Sequence, residues 1–258
     1  MKLSRLNSLS PLNLKEWLWQ PIFNDMLELL SIFKLQNYPI PVEFLYKRVV
    51  TGNAKKPIEI TTSTWASKFT KVKQIRAACI QGSGSLSVLN LVIIPSIDYN
   101  LPFFGADFVT LPNGHLLALD LQPVLKSDRF HTEDVWQKLL PIHNRWQSLL
   151  PDGGDIPTEA KPYFSPGFLW TRLPLEKNSN LTIQEVIRPA FREYLSLYLE
   201  LVSNAERVSK DFSLKLQAGQ KSYLNYRSFK DPARGMLTRF YGKEWTEDYI
   251  HKVLFKID

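Results

Sequence analysis

The chain has 258 residues, of which 44% are hydrophobic and 22% are charged, and its formal net charge is +7. This composition is typical of a folded globular protein and excludes long disordered stretches. The single cysteine, Cys79, excludes a disulfide and the set of four thiolates that usually holds an iron–sulfur cluster.

No apolar run approaches the roughly 20 residues that span a bilayer, and the first 14 residues carry no signal or transit pattern. We therefore expect a protein of the cytoplasm, or of an organelle stroma if a leader was removed. The positive charge fits a solvated surface or an acidic partner better than nucleic acid, because no helix carries a dense basic stripe.

The first predicted helix runs from Asn13, a plausible N-cap, to Phe33, and Pro21 is expected to break or restart it. The segment from Tyr38 to Lys56 contains two prolines and is predicted to be a loop. Five strand patterns follow, separated by short turn sequences: Ile58–Trp65, Val72–Ile80, Ser85–Ile94, Phe103–Leu111 and His115–Gln122.

The strand spacing predicts consecutive antiparallel pairing, and several strands are apolar on both faces, so both faces must be covered. Helical patterns make up the second half: Thr132–Leu150, Gln184–Arg207, Phe212–Phe229 and Trp245–Phe255. The predicted fold class is α/β, with an antiparallel sheet between helical layers, and the absence of a clear linker predicts one domain over residues 1–258.

Several common catalytic motifs are absent from the sequence. Gly82 and Gly84 lack the third glycine of a dinucleotide-binding loop, and there is neither a P-loop nor a Gly-x-Ser-x-Gly elbow. The four histidines do not pair at the spacing of metal ligands. No resident redox group is therefore indicated.

Two aspartates lie within an apolar hairpin. Asn113-Gly114 is a strong turn signal, and a two-residue loop at this point pairs Asp107 with Asp120 on one face. Burial and a nearby like charge raise a carboxyl pKa, so such a pair can hold protons for donation near neutral pH. The alternative, that both residues cap loops or bind backbone amides, stays equally open at this point.

Three sequence strings resemble the ferredoxin-dependent bilin reductases. They are Leu101-Pro102-Phe103-Phe104-Gly105-Ala106-Asp107, Ser87-Val88-Leu89-Asn90 and Asp231-Pro232-Ala233-Arg234-Gly235. The segments from Ser165 to Pro174 and from Asp231 to Arg239, and Glu244-Trp245-Thr246-Glu247, are similar to the branch that forms phycoerythrobilin. The resemblance extends over essentially the whole chain.

The resemblance implies a three-layer α/β/α sandwich around a central antiparallel sheet, with no bound metal or flavin. It implies that reduced ferredoxin is the external electron donor. The expected reaction is the two-electron reduction of the A-ring diene of 15,16-dihydrobiliverdin to phycoerythrobilin, by radical electron transfers coupled to side-chain protonation. Asp107 corresponds to the family's central proton-donating aspartate, and Asp231 to its C-terminal aspartate.

Three departures distinguish this chain from relatives that form phycocyanobilin. Asn90 and Arg76 stand where those relatives have histidines, and Ala78 stands where they have a glutamate that protonates the D-ring vinyl group. We therefore expect that vinyl group to stay unreduced. Asn90, Arg76 and Asp120 are predicted substrate-binding residues, although Asn90 is also compatible with a purely structural strand position.

Arg145, Arg172 and Arg234 are candidates for binding the two propionates, since guanidinium groups pair with carboxylates bidentately, and a surface role for each is as plausible. The alternatives are another reductase of the family, acting on biliverdin, and a bilin carrier without reductase activity. The expected partners are ferredoxin, the bilin and the upstream bilin reductase as a source of substrate, with no nucleic acid or membrane, and the expected state is a monomer.

Overall fold

The computed structural model describes residues 17–53 and 56–256. Within them eight strands form one antiparallel sheet: β1 (Gln36–Asn37), β2 (Tyr46–Asn53), β3 (Lys56–Phe69), β4 (Val72–Gly82), β5 (Ser87–Pro95), β6 (Phe103–Leu111), β7 (Gly114–Gln122) and β8 (Leu169–Leu173). Strands β3 to β8 pair in chain order, while β1 and β2 share the outer edge of β3.

The α-helices of the described ranges are α1 (Gln20–Leu30), α2 (Val42–Leu45), α3 (Arg129–Gln147), α4 (Lys177–Thr182), α5 (Arg188–Asn204), α6 (Lys210–Phe229), α7 (Arg234–Tyr241) and α8 (Lys243–Tyr249). A π-helical turn, Ile183–Ile187, leads into α5, and a second, Ile250–Leu254, continues α8. None of these helices is long and apolar enough to cross a membrane.

Each face of the sheet has its own apolar core. Leu91 and Phe108 point to the face covered by α1, α3 and α5, whereas Val92 and Phe103 point to the face covered by α6, α7 and α8. The central strands are therefore apolar on both sides, as the sequence predicted. The α/β/α sandwich with a central antiparallel sheet is confirmed, and its description as one domain stays a prediction.

The five predicted strands are confirmed, but the prediction of a loop from Tyr38 to Lys56 is wrong, since this segment contains α2 and β2. Strand β2 lies at an edge, and none of its residues with a described side chain is buried, so it lacks the apolar alternation of a core strand. The first helix begins at Gln20 with Pro21 in its first turn, and Asn13 lies outside the described residues.

The register of the β6–β7 hairpin differs from the predicted one by two residues. Leu111 pairs with Gly114, so Pro112 and Asn113 form the turn. A type I′ turn at Asn113-Gly114 needs a positive φ at the asparagine, and no described non-glycine residue has one. Proline instead fixes the φ of the first central position, and Gly114 begins β7 at φ 136°.

A buried carboxylate fastens α1 to α5. Asp25 accepts hydrogen bonds from Arg188 Nε at 2.6 Å and from Arg192 Nη1 at 2.8 Å. Burial alone would raise the pKa of Asp25, but the hydrogen bonds and charges of the two arginines outweigh it and hold the pKa below its ordinary value. The ionised carboxylate therefore stabilises the contact between the two helices.

We expect Asp25→Asn to lower the free energy of unfolding at pH 7 by about 1–2 kcal/mol, because two guanidinium groups lose their charged acceptor. Since the folded-state pKa is depressed, this contribution is present above the unfolded-state value of 3.8 and is lost as the pH falls through the folded-state value. Urea unfolding of both proteins at pH 7 and at successively lower pH measures it. A stability difference that does not change with pH would contradict this interpretation.

Candidate active site

A two-lobed cleft lies between the sheet and the layer of α6 to α8. The first lobe has a volume of about 700 Å³ and extends from Ala78 to Tyr249 and α7, and the second, of about 420 Å³, extends toward β8 and the segment 155–168. Both lobes are bordered by Asn90, Asp107 and Arg227. Asp107 therefore lies at the junction of the two lobes.

One row of cross-strand neighbours forms the floor of the cleft. Ala78 pairs with Asn90, Asn90 with Asp107, Asp107 with Ala118, and Ala118 with Trp170. Directly paired residues project to the same face of a sheet, so this row presents two small and two polar side chains beside one indole. The alanines leave space above the sheet at the point where the surrounding positions are occupied by larger apolar residues.

Asp107 is held between an amide and a guanidinium group. Asn90 Nδ2 donates to Asp107 Oδ1 at 2.7 Å, and Arg227 Nη2 lies 3.9 Å from Oδ2. The side chain of Asp107 keeps 36% of its surface accessible, whereas that of Arg227 keeps 18%. The carboxyl group is thus fixed in orientation and still open to a molecule in the cleft.

Asp231 lies on the other side of the first lobe, just after the end of α6. Its Oδ1 accepts a hydrogen bond from the backbone N–H of Ala233 at 2.7 Å, so it caps the turn that leads into α7. Burial raises its pKa, and the charge of Arg227 opposes that shift only in part. The capping contact and a position at the cavity wall therefore occur together in Asp231.

Asp120 and Asp107 lie on one face but are not directly paired, so the predicted side-by-side pairing is wrong. Asp107 faces Ala118, and Asp120 faces Gly105 two residues further along the strand. Asp120 is fully buried at the floor of the second lobe, where Ser165 donates to it from both its backbone N–H, at 2.9 Å, and its hydroxyl group. Burial raises the pKa of Asp120 to about 7, against the opposing effect of these hydrogen bonds.

The predicted arginines have different positions. Arg172 borders the second lobe, with its guanidinium carbon 5.4 Å from the centre of the Trp170 ring. Arg76 is fully buried on the same face of the sheet as Asn90 but does not border either lobe, donates to the Asn90 carbonyl at 3.4 Å, and has no hydrogen-bond partner for Nε or Nη2 within the described residues. A cation with unused donors therefore lies next to the Asn90–Asp107 pair.

The other two predicted arginines do not border the cleft. Arg145 belongs to α3 on the opposite face of the sheet and forms an ion pair with Glu193. Arg234 forms an ion pair with Glu247 and donates to the carbonyl of Ser228. Helical periodicity does not reveal which of these side chains faces the cleft, because that depends on how the helices pack on the sheet.

Several residues of the cleft were not identified from the sequence. Arg227 and Arg239 border it, and so do Phe168 and Tyr249. The Tyr249 hydroxyl is 2.8 Å from Thr64 Oγ1, and Phe168 stacks between Phe164 and Trp170. The only sequence signal for Arg227 was its position one helical turn before Asp231.

The cleft combines an apolar, aromatic wall with a few fixed polar groups, which is typical of a site for a large planar ligand. Asp107 and Asp231 approach it from opposite sides, and an acid in a poorly hydrated cavity can donate a proton at neutral pH. Within the described ranges, no three histidine, cysteine, aspartate or glutamate side chains are grouped as metal ligands.

The raised pKa of Asp120 leads to a prediction about stability. A folded-state pKa near 7, against 3.8 unfolded, contributes stability below pH 3.8 that is lost as the pH rises through 7. We expect Asp120→Asn to remove this pH dependence. Between low pH and pH 8, the free energy of unfolding of the wild type should therefore fall by up to about 4 kcal/mol more than that of the variant. Parallel pH profiles of chemical unfolding would contradict the raised pKa.

The model of the family "Ferredoxin-dependent bilin reductase" matches residues 24–256. The chain is 63% identical over 257 residues to phycoerythrobilin:ferredoxin oxidoreductase of Prochlorococcus marinus, with 100% of both chains covered. It is 57% identical over 258 residues to the Synechococcus protein of that name, covering 100% of this chain and 98% of the relative. It is also similar to tomato phytochromobilin synthase in complex with biliverdin, at a TM-score of 0.80 and 26% identity over 92% of this chain and 82% of that chain. The chain therefore belongs to the ferredoxin-dependent bilin reductase family.

Proposed function

We propose that this protein reduces the A-ring diene of 15,16-dihydrobiliverdin to phycoerythrobilin, with reduced ferredoxin as the electron donor. The observation that carries the proposal is the approach of Asp107 and Asp231 to opposite sides of one apolar cleft. The names of relatives at 54–63% identity support the choice of product.

The reaction adds two electrons and two protons to a conjugated diene. Two reduced ferredoxins each supply one electron and are oxidised, without a cofactor of the protein's own. Asp107 and Asp231 each give up a proton and recover it from solvent afterwards. Delivery of single electrons implies a bilin radical between the two steps, and the fixed Asn90–Asp107 contact keeps one acid oriented toward it.

Ala78 supports the choice between bilin products. It borders the first lobe and pairs with Asn90, so a methyl group stands where the relatives that form phycocyanobilin carry an acid. A methyl group cannot donate a proton, and no other carboxyl group belongs to the floor row on that side of Asp107. The D-ring vinyl group would therefore remain intact.

Two arginines at the cleft are suited to the propionates of the bilin. Arg172 and Arg239 are exposed, border different lobes and form no ion pair within the described residues. Guanidinium groups bind carboxylates bidentately, so each can bind one propionate. This assignment replaces Arg145 and Arg234, whose guanidinium groups already contact Glu193 and Glu247.

We further propose that the protein acts as a monomer and receives its substrate from an upstream bilin reductase. The cyanobacterial origin of the relatives supports a cyanobacterial cytoplasm over a plastid stroma. The retention of two acids at the cleft favours a reductase over a bilin carrier, because binding alone needs no buried acid.

Anaerobic turnover tests the proposal. The protein is incubated with ferredoxin, a system that reduces ferredoxin, and either 15,16-dihydrobiliverdin or biliverdin, and the products are separated by chromatography. We expect phycoerythrobilin from 15,16-dihydrobiliverdin. Ready conversion of biliverdin would instead identify another reductase of the family, and binding without reduction would identify a bilin carrier.

We predict that Asp107→Asn binds the bilin but loses turnover by about 100-fold or more, in the range that general acids contribute. The asparagine carbonyl can still accept from Asn90, so the geometry is kept while the proton is lost. A long-lived bilin radical should then accumulate, measurable by absorbance and electron paramagnetic resonance. Wild-type turnover in this variant would remove Asp107 from the mechanism.

The two roles of Asp231 can be separated by two substitutions. Asp231→Asn retains an acceptor for the Ala233 N–H but cannot donate a carboxyl proton, whereas Asp231→Ala loses both functions. We expect both variants to lose most phycoerythrobilin formation, and only the alanine variant to lose stability, by about 1 kcal/mol. If Asp231→Asn forms the product at the wild-type rate, capping is its only role.

A further inference from the structure

A second large depression lies at the end of the sheet away from the first lobe. It has a volume of about 1010 Å³ and is formed by the turn between β3 and β4, the residues after β5, and the first half of α6. We call it the lysine groove, and its defining residues are Phe69, Lys68, Lys73, Ile97, Leu214 and Lys221.

The charge of the lysine groove has one sign. Lys68, Lys73 and Lys221 are exposed, and no aspartate or glutamate of the described ranges borders the groove. Lys68 and Lys221 take part in no ion pair within those ranges, in contrast to the paired arginines elsewhere on the surface. Part of the net charge of +7 is therefore concentrated here, where it attracts a negatively charged partner.

The centre of the groove is apolar. Leu214 keeps 55% of its surface exposed, and Ile97 and Leu224 also border the groove. An apolar centre with a charged rim is the usual anatomy of a protein–protein contact, and small contacts of this kind are typical of transient electron-transfer complexes. The groove thus offers contact area as well as charge.

Residues of α6 border both the lysine groove and the second lobe. Gln220 borders the groove and donates to the carbonyl of Pro95 at 3.1 Å, while Tyr223 borders the second lobe and donates to Gln122. Three residues of an α-helix correspond to a rise of about 4.5 Å. Residues only three positions apart on one helix therefore border the groove and the second lobe.

The rims of the two lobes are less suited to an acidic partner. The first lobe has Arg239 as the one exposed cation among its described lining residues, and the second has Asp155 as well as Lys230, whose Nζ lies 3.8 Å from Glu159 Oε1. A single cation or mixed signs at short range give little net attraction. The lysine groove differs from both rims because it combines three exposed lysines with no acid among its described lining residues.

We infer that the lysine groove is the docking surface for the acidic electron donor, ferredoxin. The inference rests on the proposed function, since a donor is needed only if the bilin is reduced. In the complex, the reduced iron–sulfur cluster of the donor is oxidised by one electron, which passes through α6 to the bilin in the cleft. Two dockings deliver the two electrons, and the acids of the cleft deliver the protons.

The test is the double variant Lys68→Glu with Lys221→Glu. Its matched control is Lys177→Glu with Lys243→Glu, which makes the same change of charge at exposed lysines of α4 and α8 that take part in no ion pair within the described residues and do not border the groove. Binding of oxidised ferredoxin is measured by calorimetry, and turnover is measured with ferredoxin and with a small chemical reductant. We expect the groove variant to bind ferredoxin about tenfold more weakly, a change of about 1.4 kcal/mol, and its KM for ferredoxin to rise by a similar factor, because two attractive charges become repulsive.

The control should bind ferredoxin as the wild type does, and both variants should retain wild-type turnover with the chemical reductant. The wild-type KM for ferredoxin should rise with ionic strength, because salt screens the attraction between the lysines and an acidic partner. This rise should be smaller in the groove variant, since two of these lysines are absent from it. Unchanged ferredoxin binding in the groove variant, or equal losses in variant and control, would overturn the inference. If the wild type binds ferredoxin but reduces no bilin, the proposed function fails, and with it the role of the groove in electron delivery.

Discussion

The contact between Asn90 and Asp107 is the constraint on which the site depends. These residues pair across two central strands that are otherwise apolar on both faces except for Ser87 and Thr110, which pair with each other at one end. A polar pair in this setting needs either internal partners or a ligand, because burying an unsatisfied polar group costs free energy. The amide satisfies one carboxyl oxygen, Arg227 approaches the other, and the alanines beside them leave the space that becomes the cleft.

The three carboxyl groups on this face of the sheet have different environments. Asp107 is partly open to the cleft, Asp231 is buried with a capping hydrogen bond, and Asp120 is buried with Ser165 as its donor. Burial raises the pKa of the last two above the ordinary value of an aspartate. Asp120 contacts Ser165 rather than the junction of the lobes, so its first role is to hold the segment that closes the second lobe.

Helix α6 connects the proposed functions of this face. It carries Lys221 at the groove, Tyr223 at the second lobe and Arg227 beside Asp107, and it ends just before Asp231. Tyr223, Arg227 and Asp231 recur every four residues, about one helical turn, so one element sets the spacing between the lysine groove and the acids. A rigid helix can keep the lysine groove and the cleft at a constant distance without a conformational change.

The sequence by itself determined the antiparallel sheet, the helical cover of both faces and the shared face of Asp107 and Asp120, because these follow from local periodicity. Its motifs also indicated the family, and with it the importance of Asp107 and Asp231. The hairpin register, the edge strand β2 and the choice among arginines were decided only by the tertiary structure. The conformation of the turn set the register, and pairing at a sheet edge does not require alternating buried residues. The layer that each helix occupies decided that Arg227 borders the cleft, whereas Arg145 lies on the opposite face of the sheet.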